Sequence, residues 1–272
     1  MKFINLGNHP VPAIGLGTYK LTGREAVNII SHALAIGYRH IDTAQLYENE
    51  KEVGQAIINS NVAREDIYLV TKIWPSNLHK DRFIPSVQES LRKLKTDYVD
   101  LLLIHWPHHY TPLEDYIPML IQVKESGLAK DIGVSNFNIT QLKKTIDAGA
   151  QIVTNQVEFH PWINQARLHH WMSQHNLPLT AYSPLGQGKL LNAKNLENLA
   201  AIYARTPAQI ILRWMMQLPE ILAIPRSSNR NRLAENLNIF DFSISEAHVQ
   251  LINSWQLENH RMVGAQNGAK WD

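Results

Sequence analysis

Along this chain, short apolar runs alternate with longer stretches in which apolar residues recur every three or four positions. The runs cover residues 13–17, 38–41, 67–71, 98–105, 130–134, 152–157, 179–182 and 222–224. Several, such as Val99-Asp100-Leu101-Leu102-Leu103-Ile104, are almost continuously apolar, as strands covered on both faces are. The intervening stretches read as amphipathic helices. Thr22-Gly23-Arg24-Glu25 has capping-box spacing, Val27, Ile30 and Leu34 then share one face, and Gly37 stands where a C-terminal cap belongs. Ile84, Val87, Leu91 and Leu94 repeat the pattern beyond Asp81, with Pro85 in the first turn. Further helices are predicted over 113–126, 140–148, 166–175, 207–217 and 230–240. Eight predicted strands alternating with predicted helices through short connections predict an α/β fold of the (β/α)8 TIM barrel type. A hairpin around Leu6-Gly7-Asn8-His9-Pro10 precedes it. No Pro- or Ser-rich linker interrupts the alternation, so residues 1–272 are expected to form a single domain.

Composition narrows the chemistry. The 272 residues carry 26 Lys and Arg against 24 Asp and Glu, a net charge of +2, which is too small a field to attract nucleic acid or an anionic membrane. With no cysteine there is no disulfide framework, thiolate metal site or catalytic thiol. No apolar run reaches the roughly 18–20 residues needed to span a bilayer, and none near Met1 has the length of a signal peptide. A cytoplasmic monomer acting on a small molecule is expected.

In a barrel of this kind the active site lies at the C-terminal ends of the strands. Those positions are rich in polar residues: Thr18 and Tyr19, then Asp42, Lys72 and His105 after the second, third and fourth strands, then Ser135 and Asn136. Gln156 and Glu158, Tyr182 and Ser183, and finally Arg226, Ser227 and Ser228 follow. An Asp, a Lys and a His ending adjacent strands must converge. Asp42 is the natural counter-charge for Lys72, since buried charges persist only when paired. Tyr47, five residues beyond Asp42, is close enough to fold back over the mouth. A neighbouring ammonium is expected to lower the phenol pKa, and His105 to orient or polarise a carbonyl. Together the four suit proton donation to a developing alkoxide.

These residues also resemble a known family. Gly15-Leu16-Gly17-Thr18-Tyr19 and Gly37-Tyr38-Arg39-His40-Ile41-Asp42-Thr43-Ala44, leading to Tyr47, Asn49 and Glu50, are similar to the aldo-keto reductases. So are Thr71-Lys72-Ile73-Trp74, Asp97-Tyr98-Val99-Asp100-Leu101, His105-Trp106-Pro107, Gly133-Val134-Ser135-Asn136-Phe137, Asn155-Gln156 and Ile224-Pro225-Arg226-Ser227. The likeness covers essentially the whole chain and is strongest to the bacterial 2,5-diketo-D-gluconate reductase B branch, to which Trp271-Asp272 also points. It implies NADPH-dependent reduction of small aldehydes and ketones, with Tyr47 as general acid, Lys72 and Asp42 tuning it, and His105 aligning the carbonyl. It further implies that Thr18, Ser135, Asn136 and Gln156 serve the nicotinamide end of NADPH, with the ring stacked on Tyr182. Ser183 and Leu185 would follow the pyrophosphate, Arg226, Ser227, Ser228 and Arg232 would hold the 2′-phosphate, and Glu235 and Asn236 the adenine. Arg226 departs from the family's usual Lys, replacing a point charge with a fork.

Tyr19, Trp74 and Trp106 are candidate aromatic walls of a substrate pocket, shared with His105. Small polar carbonyls, such as methylglyoxal-like dicarbonyls or keto sugar acids, are the expected substrates. Gly15-Leu16-Gly17 is only part of a Rossmann fingerprint, because Lys20 occupies its last position. Two other readings stand beside the reductase. His105, His108 and His109 with Glu158 and His160 could serve a metal-dependent hydrolase on the same barrel, although no H-x-H pair marks the first strand and no metal is expected. The chain could also be a non-catalytic NADP-binding protein. Metal analysis and NADPH oxidation with reactive aldehydes separate the three.

Overall fold

A computed structural model describes residues 1–108, 110–256, 260–264 and 271–272. The chain opens with β1 (Phe3–Leu6) and β2 (His9–Pro12), an antiparallel pair joined through Gly7 and Asn8, with Gly7 in the left-handed region at φ +58°. Eight parallel strands follow: β3 (Leu16–Gly17), β4 (His40–Asp42), β5 (Tyr68–Ile73), β6 (Val99–Ile104), β7 (Ala129–Ser135), β8 (Ile152–Glu158), β9 (Leu179–Tyr182) and β10 (Ile221–Ala223). They pair in sequence order, and a parallel bridge from Ile14 to Ala223 joins the first to the last. Gly15 N–H to Ala223 O at 2.9 Å and Gly17 N–H to Pro225 O at 3.1 Å stitch this seam and close the barrel. Glycine is required there: a Cβ on Gly17 would lie 2.7 Å from Ile224 O, and one on Gly15 would meet the buried His40 ring at 2.7 Å.

The predicted strands all form, with ends displaced by at most three residues and 179–182 matched at both ends. The first is the most shortened, because residues 13–15 meet β10 through the seam rather than a full ladder. Helices pack outside: α1 (Gly23–Ala35), α2 (Glu50–Ile58), α3 (Phe83–Leu94), α4 (Leu113–Glu125), α5 (Ile139–Asp147), α6 (Ala166–Gln174), α7 (Lys194–Ile202), α8 (Pro207–Gln217), α9 (Arg230–Leu237) and α10 (Glu246–Asn253). Three of these, α2, α7 and α10, lie outside the predicted helices, and length does not set them apart, since the predicted α5, α6 and α9 are as short. The capping box expected at Thr22 does not form, since Thr22 makes no side-chain cap. Complete boxes occur instead at Asn138 with Gln141 and at Thr206 with Gln209. The last predicted helix over 230–240 stops at Leu237.

The hairpin sits at the end of the barrel opposite the site, where His9 Nδ1 meets Asp131 at 2.7 Å and Lys124 reaches the same carboxylate at 3.4 Å. These contacts fasten the hairpin over the N-terminal ends of the strands, away from the strand ends that carry the candidate site residues. Among the described residues no helix is long and apolar enough to cross a membrane.

Candidate active site

At the open end of the barrel, β4 delivers Asp42 and β5 delivers Lys72, both buried. Lys72 Nζ donates to Asp42 Oδ1 at 2.5 Å and to Thr43 O at 2.9 Å, and lies 3.4 Å from the Tyr47 hydroxyl. Asp42 Oδ2 accepts from Gln156 Nε2 at 2.8 Å, so both carboxylate oxygens are held. An ion pair this deep is costly to desolvate, and removing one partner of such a pair strands the other at about 3–5 kcal/mol.

Tyr47 is positioned by a single 3₁₀ turn, Gln45–Tyr47, fastened on both sides. Gln45 Oε1 accepts from Trp74 N–H and Asn77 Nδ2, both at 2.9 Å, binding the turn to the loop after β5. Behind it, Asn49 is buried. Its Nδ2 donates to Thr18 O at 2.8 Å and Leu21 O at 2.9 Å, and its Oδ1 accepts from Thr43 Oγ1 at 2.6 Å. Asn49 thus locks the loops after β3 and β4 together. Its mention among the family-like residues carried no such role, because its partners lie on loops that only the fold brings near.

The expected pKa of Tyr47 requires correction. Burial of the phenol, with Asp42, Tyr182 and Tyr19 around it, pushes its pKa well above the ordinary value, outweighing the ammonium. Tyr47 is therefore held protonated. Burial also pulls Lys72 down, and Asp42 opposes that shift. His105 is pulled well below its usual range by burial and then by Lys72, so its imidazole is neutral. Its Nδ1 is sealed without a partner, which leaves Nε2 as the nitrogen that can reach the cavity. The His105 ring stands edge-on to Tyr47, with centroids 5.6 Å apart, and edge-on to Trp74 at 5.3 Å.

One cavity of about 1050 Å³ runs from this cluster across the mouth. Tyr19, Trp74, Trp106 and His105 line one end together with Leu46, and Tyr19 packs on Tyr47 at 5.1 Å. Thr18, Asp42, Tyr47, Asn136, Gln156, Tyr182, Ser183 and Leu185 line the middle, while Arg226, Ser227, Ser228, Arg232, Glu235 and Asn236 line the far end. Of the expected site residues only Lys72 and Ser135 do not line it. Lys72 lies beneath the floor, and Ser135 sits behind Asn136, donating to Gln156 O at 2.7 Å.

The side-chain amides of Asn136 and Gln156, expected to face a nicotinamide, both have protein partners, Gln156 bonding Asp42. Asn136 Nδ2 donates to His105 O and Ser135 Oγ, both at 3.0 Å, and its Oδ1 accepts from the Tyr182 hydroxyl at 2.8 Å. Asn136 and Ser183 both adopt left-handed backbone, at φ 63° and 48°, a conformation costing roughly 1–2 kcal/mol for an L-residue. Strain of this kind at strand ends marks a site whose geometry the surroundings impose.

At the far end, Asn229 Oδ1 accepts from Asn231 N–H and Arg232 N–H, so two amides at the start of α9 are capped from within. Ser227 Oγ is taken up in a turn with Asn229. The groups left to meet an anion are the Ser228 hydroxyl and the exposed guanidinium groups of Arg226 and Arg232. Met262, Val263 and Gly264 also line the cavity, and sequence reasoning missed them because that segment has no periodicity or motif. Glu158 and His160 face this segment, and among the described residues no group of three or more His, Asp or Glu side chains is placed to hold a metal ion. His108 receives the Thr111 N–H at 2.9 Å, and His109 lies outside the described residues.

Reductases are among the proteins to which the chain is similar over most of its length. Methylglyoxal reductase DkgB of Escherichia coli O157:H7 is 41% identical over 267 residues, covering 96% of this chain and 99% of that protein. Methylglyoxal reductase DkgA of Escherichia coli K12 is 38% identical over 242 residues, covering 87% of this chain and 86% of that protein. A crystal structure of a candidate 2,5-diketo-D-gluconic acid reductase B superposes with a TM-score of 0.97 at 39% identity, covering 100% of this chain and 98% of that one. The sequence model of the Aldo/keto reductase family matches residues 13–256. With that match, and with the barrel of its solved relatives, the chain belongs to the aldo/keto reductase family.

Proposed function

We propose that this protein is an NADPH-dependent reductase of small aldehydes and ketones, with methylglyoxal-like dicarbonyls and keto sugar acids as its substrate classes. The observation that carries the reading is the Lys72 ammonium, held by Asp42 and lying 3.4 Å from the Tyr47 hydroxyl in the floor of a cavity whose far end carries Arg226 and Arg232. The cavity suits a dinucleotide: it is long, it passes the aromatic face of Tyr182, and it ends on two cations where a phosphate needs them. When bound, NADPH supplies the hydride. Tyr182, Asn136 and Gln156 would hold its nicotinamide end, Ser183 and Leu185 its middle, and Arg226, Ser228 and Arg232 its 2′-phosphate, with Glu235 and Asn236 beside the adenine. Ser135 and Ser227 contribute by fixing Asn136 and the turn before α9.

The chain's own chemistry is proton donation. His105, neutral, offers Nε2 to the carbonyl oxygen and orients it towards the Tyr47 hydroxyl. As negative charge develops on that oxygen it becomes a stronger base than the phenolate, and Tyr47 transfers its proton from Oη. Lys72 then stabilises the phenolate, and Asp42 keeps Lys72 charged although burial opposes it. Tyr19, Leu46, Trp74 and Trp106 exclude water from the transfer.

The test is loss of NADPH absorbance with purified protein and a panel of methylglyoxal, 2,5-diketo-D-gluconate and an aromatic aldehyde. Turnover with at least one is expected. Tight NADPH binding without oxidation by any of them would favour the non-catalytic reading, and metal bound in stoichiometric amount to the purified protein, with no NADPH oxidation, would favour the hydrolase.

A further inference from the structure

We propose that Glu158 latches a strap, residues 260–264, whose release admits and discharges the cofactor, which makes Glu158 a positioning residue of the cavity. The proposal rests on reading that cavity as the NADPH cleft. Glu158 ends β8 and is fully buried, yet its carboxylate serves no member of the Asp42, Tyr47, Lys72 and His105 cluster. Its oxygens accept the Met262 N–H at 2.6 Å and the Val263 N–H at 3.0 Å, from a segment more than a hundred positions further along the chain. The third donor is His160. Its Nδ1 receives the Trp162 N–H at 3.3 Å, which assigns the ring proton to Nε2, and Nε2 donates to Glu158 Oε1 at 2.8 Å. Three donors thus converge on one buried carboxylate.

Among the described residues, the strap's other contacts include rings at its edges and the Arg261 guanidinium, which interacts electrostatically with Glu158. His260 stands edge-on to Trp162 at 5.2 Å, and the Arg261 guanidinium lies 3.6 Å from the Trp271 ring centroid. Trp271 in turn packs on Trp106 in the substrate wall at 5.8 Å. Met262 Cε comes within 3.4 Å of where a Gly186 Cβ would sit, so the strap touches the loop after β9 that lines the same cavity. Met262 and Val263 are only partly buried, so polar bonds to Glu158 hold the strap more than apolar packing does. A fastening of this kind stays shut, because opening strips a buried charge of two donors. It can still open without unfolding the barrel, because among the described residues its partners are loop ends and side chains rather than a strand ladder. Gln156 stands two residues earlier on the same face of β8 and holds Asp42. One strand therefore sets the strap in register with the proton-donating cluster.

Glu158→Gln tests the latch, because glutamine offers one acceptor oxygen and a donor amide where three donors converge, and a strap amide must then face an N–H. In cofactor-free protein, the Met262 and Val263 amides should exchange with solvent about tenfold faster or more, read by NMR or mass spectrometry. In stopped-flow displacement followed by nucleotide fluorescence, NADPH should leave about tenfold faster. Hydride transfer in a single turnover should change by less than about threefold, since Asp42 and Lys72 keep their partners, whereas general damage to β8 would lower that rate as well. Unchanged amide exchange overturns the latch. Fast exchange with a dissociation rate within about twofold of wild type overturns the gating role. Wild-type protein that binds no NADPH in the same fluorescence titration overturns the functional reading and the gate with it, while the exchange arm still reads the latch. Should Glu158→Gln fail to fold, Met262→Pro removes one donor from the partly buried strap, and Val263 exchange and NADPH dissociation carry the same expectations.

Discussion

The two ends of the cavity are built differently. At the floor, Asp42 and Lys72 are buried and bonded throughout, the carboxylate by Lys72 and Gln156 and the ammonium by Asp42 and Thr43 O. At the far rim, Arg226 and Arg232 are exposed, and the Arg226 guanidinium makes only long bonds, at 3.3 Å, to Ser228 Oγ and Lys20 O. The floor is organised before any substrate arrives, as groups must be that stabilise charge appearing only in a transition state. The rim keeps its cations solvated until an anion displaces the water, which suits capture and discrimination of a ligand. Changes at the floor should therefore act on rate, and changes at the rim on affinity.

The sharpest break in that contrast comes from Tyr47→Phe, which should lower turnover by about 10²–10⁴-fold while NADPH affinity stays nearly unchanged. Steady-state kinetics beside a fluorescence titration measure both, and retention of half the wild-type turnover would remove Tyr47 from the mechanism. Lys72→Met should be about as damaging, and the double variant little worse than either, because groups acting as one unit show strongly non-additive losses. Losses that multiply would mean that ammonium and phenol work separately. Asp42→Asn, which keeps the shape and loses the charge, should be milder.

At the rim the expected effect is smaller and of another kind. Arg232→Ala should raise KM for NADPH about tenfold, leave KM for NADH within a few-fold, and weaken the salt dependence of NADPH binding. An unchanged preference between the two nucleotides would show Arg232 to be an ordinary solvated side chain.

The smallest expected effect is on stability. Burial holds His105 and His40 below the ordinary histidine pKa near 6.5, so between that value and their depressed ones the unfolded chain binds more protons than the folded one. Stability should accordingly rise with pH across that window, and Tm should fall as pH drops below about 6.5. His105→Gln should flatten part of that loss in thermal melts at pH 5 and 7, and an identical slope would show that His105 does not contribute.

Some of this organisation was readable along the chain, and some was not. The eight strands follow from near-continuous apolar runs, and Asp42, Lys72 and His105 follow from their places at adjacent strand ends, because strand order in a closed barrel converts sequence position into spatial position. Helices α2, α7 and α10 are no shorter than the predicted α5, α6 and α9, and what fixes a helix of this length is its tertiary packing, which the sequence does not display. The direction of the Tyr47 pKa was misjudged for a related reason. A sequence shows that a cation is near but not how much water remains, and here burial outweighs Lys72.

The sequence by itself determined the barrel, the end at which its site lies, and the convergence of Asp42, Lys72 and His105, since each depends on local pattern and strand order. The tertiary structure alone decided how those groups are held. Asn49 joining two loops, Gln156 turned to Asp42, and Glu158 grasping Met262 and Val263 all pair residues whose partners lie on other elements of the chain. Hydrogen-bond partners are chosen by distance and direction after folding, and no spacing along the chain records that choice.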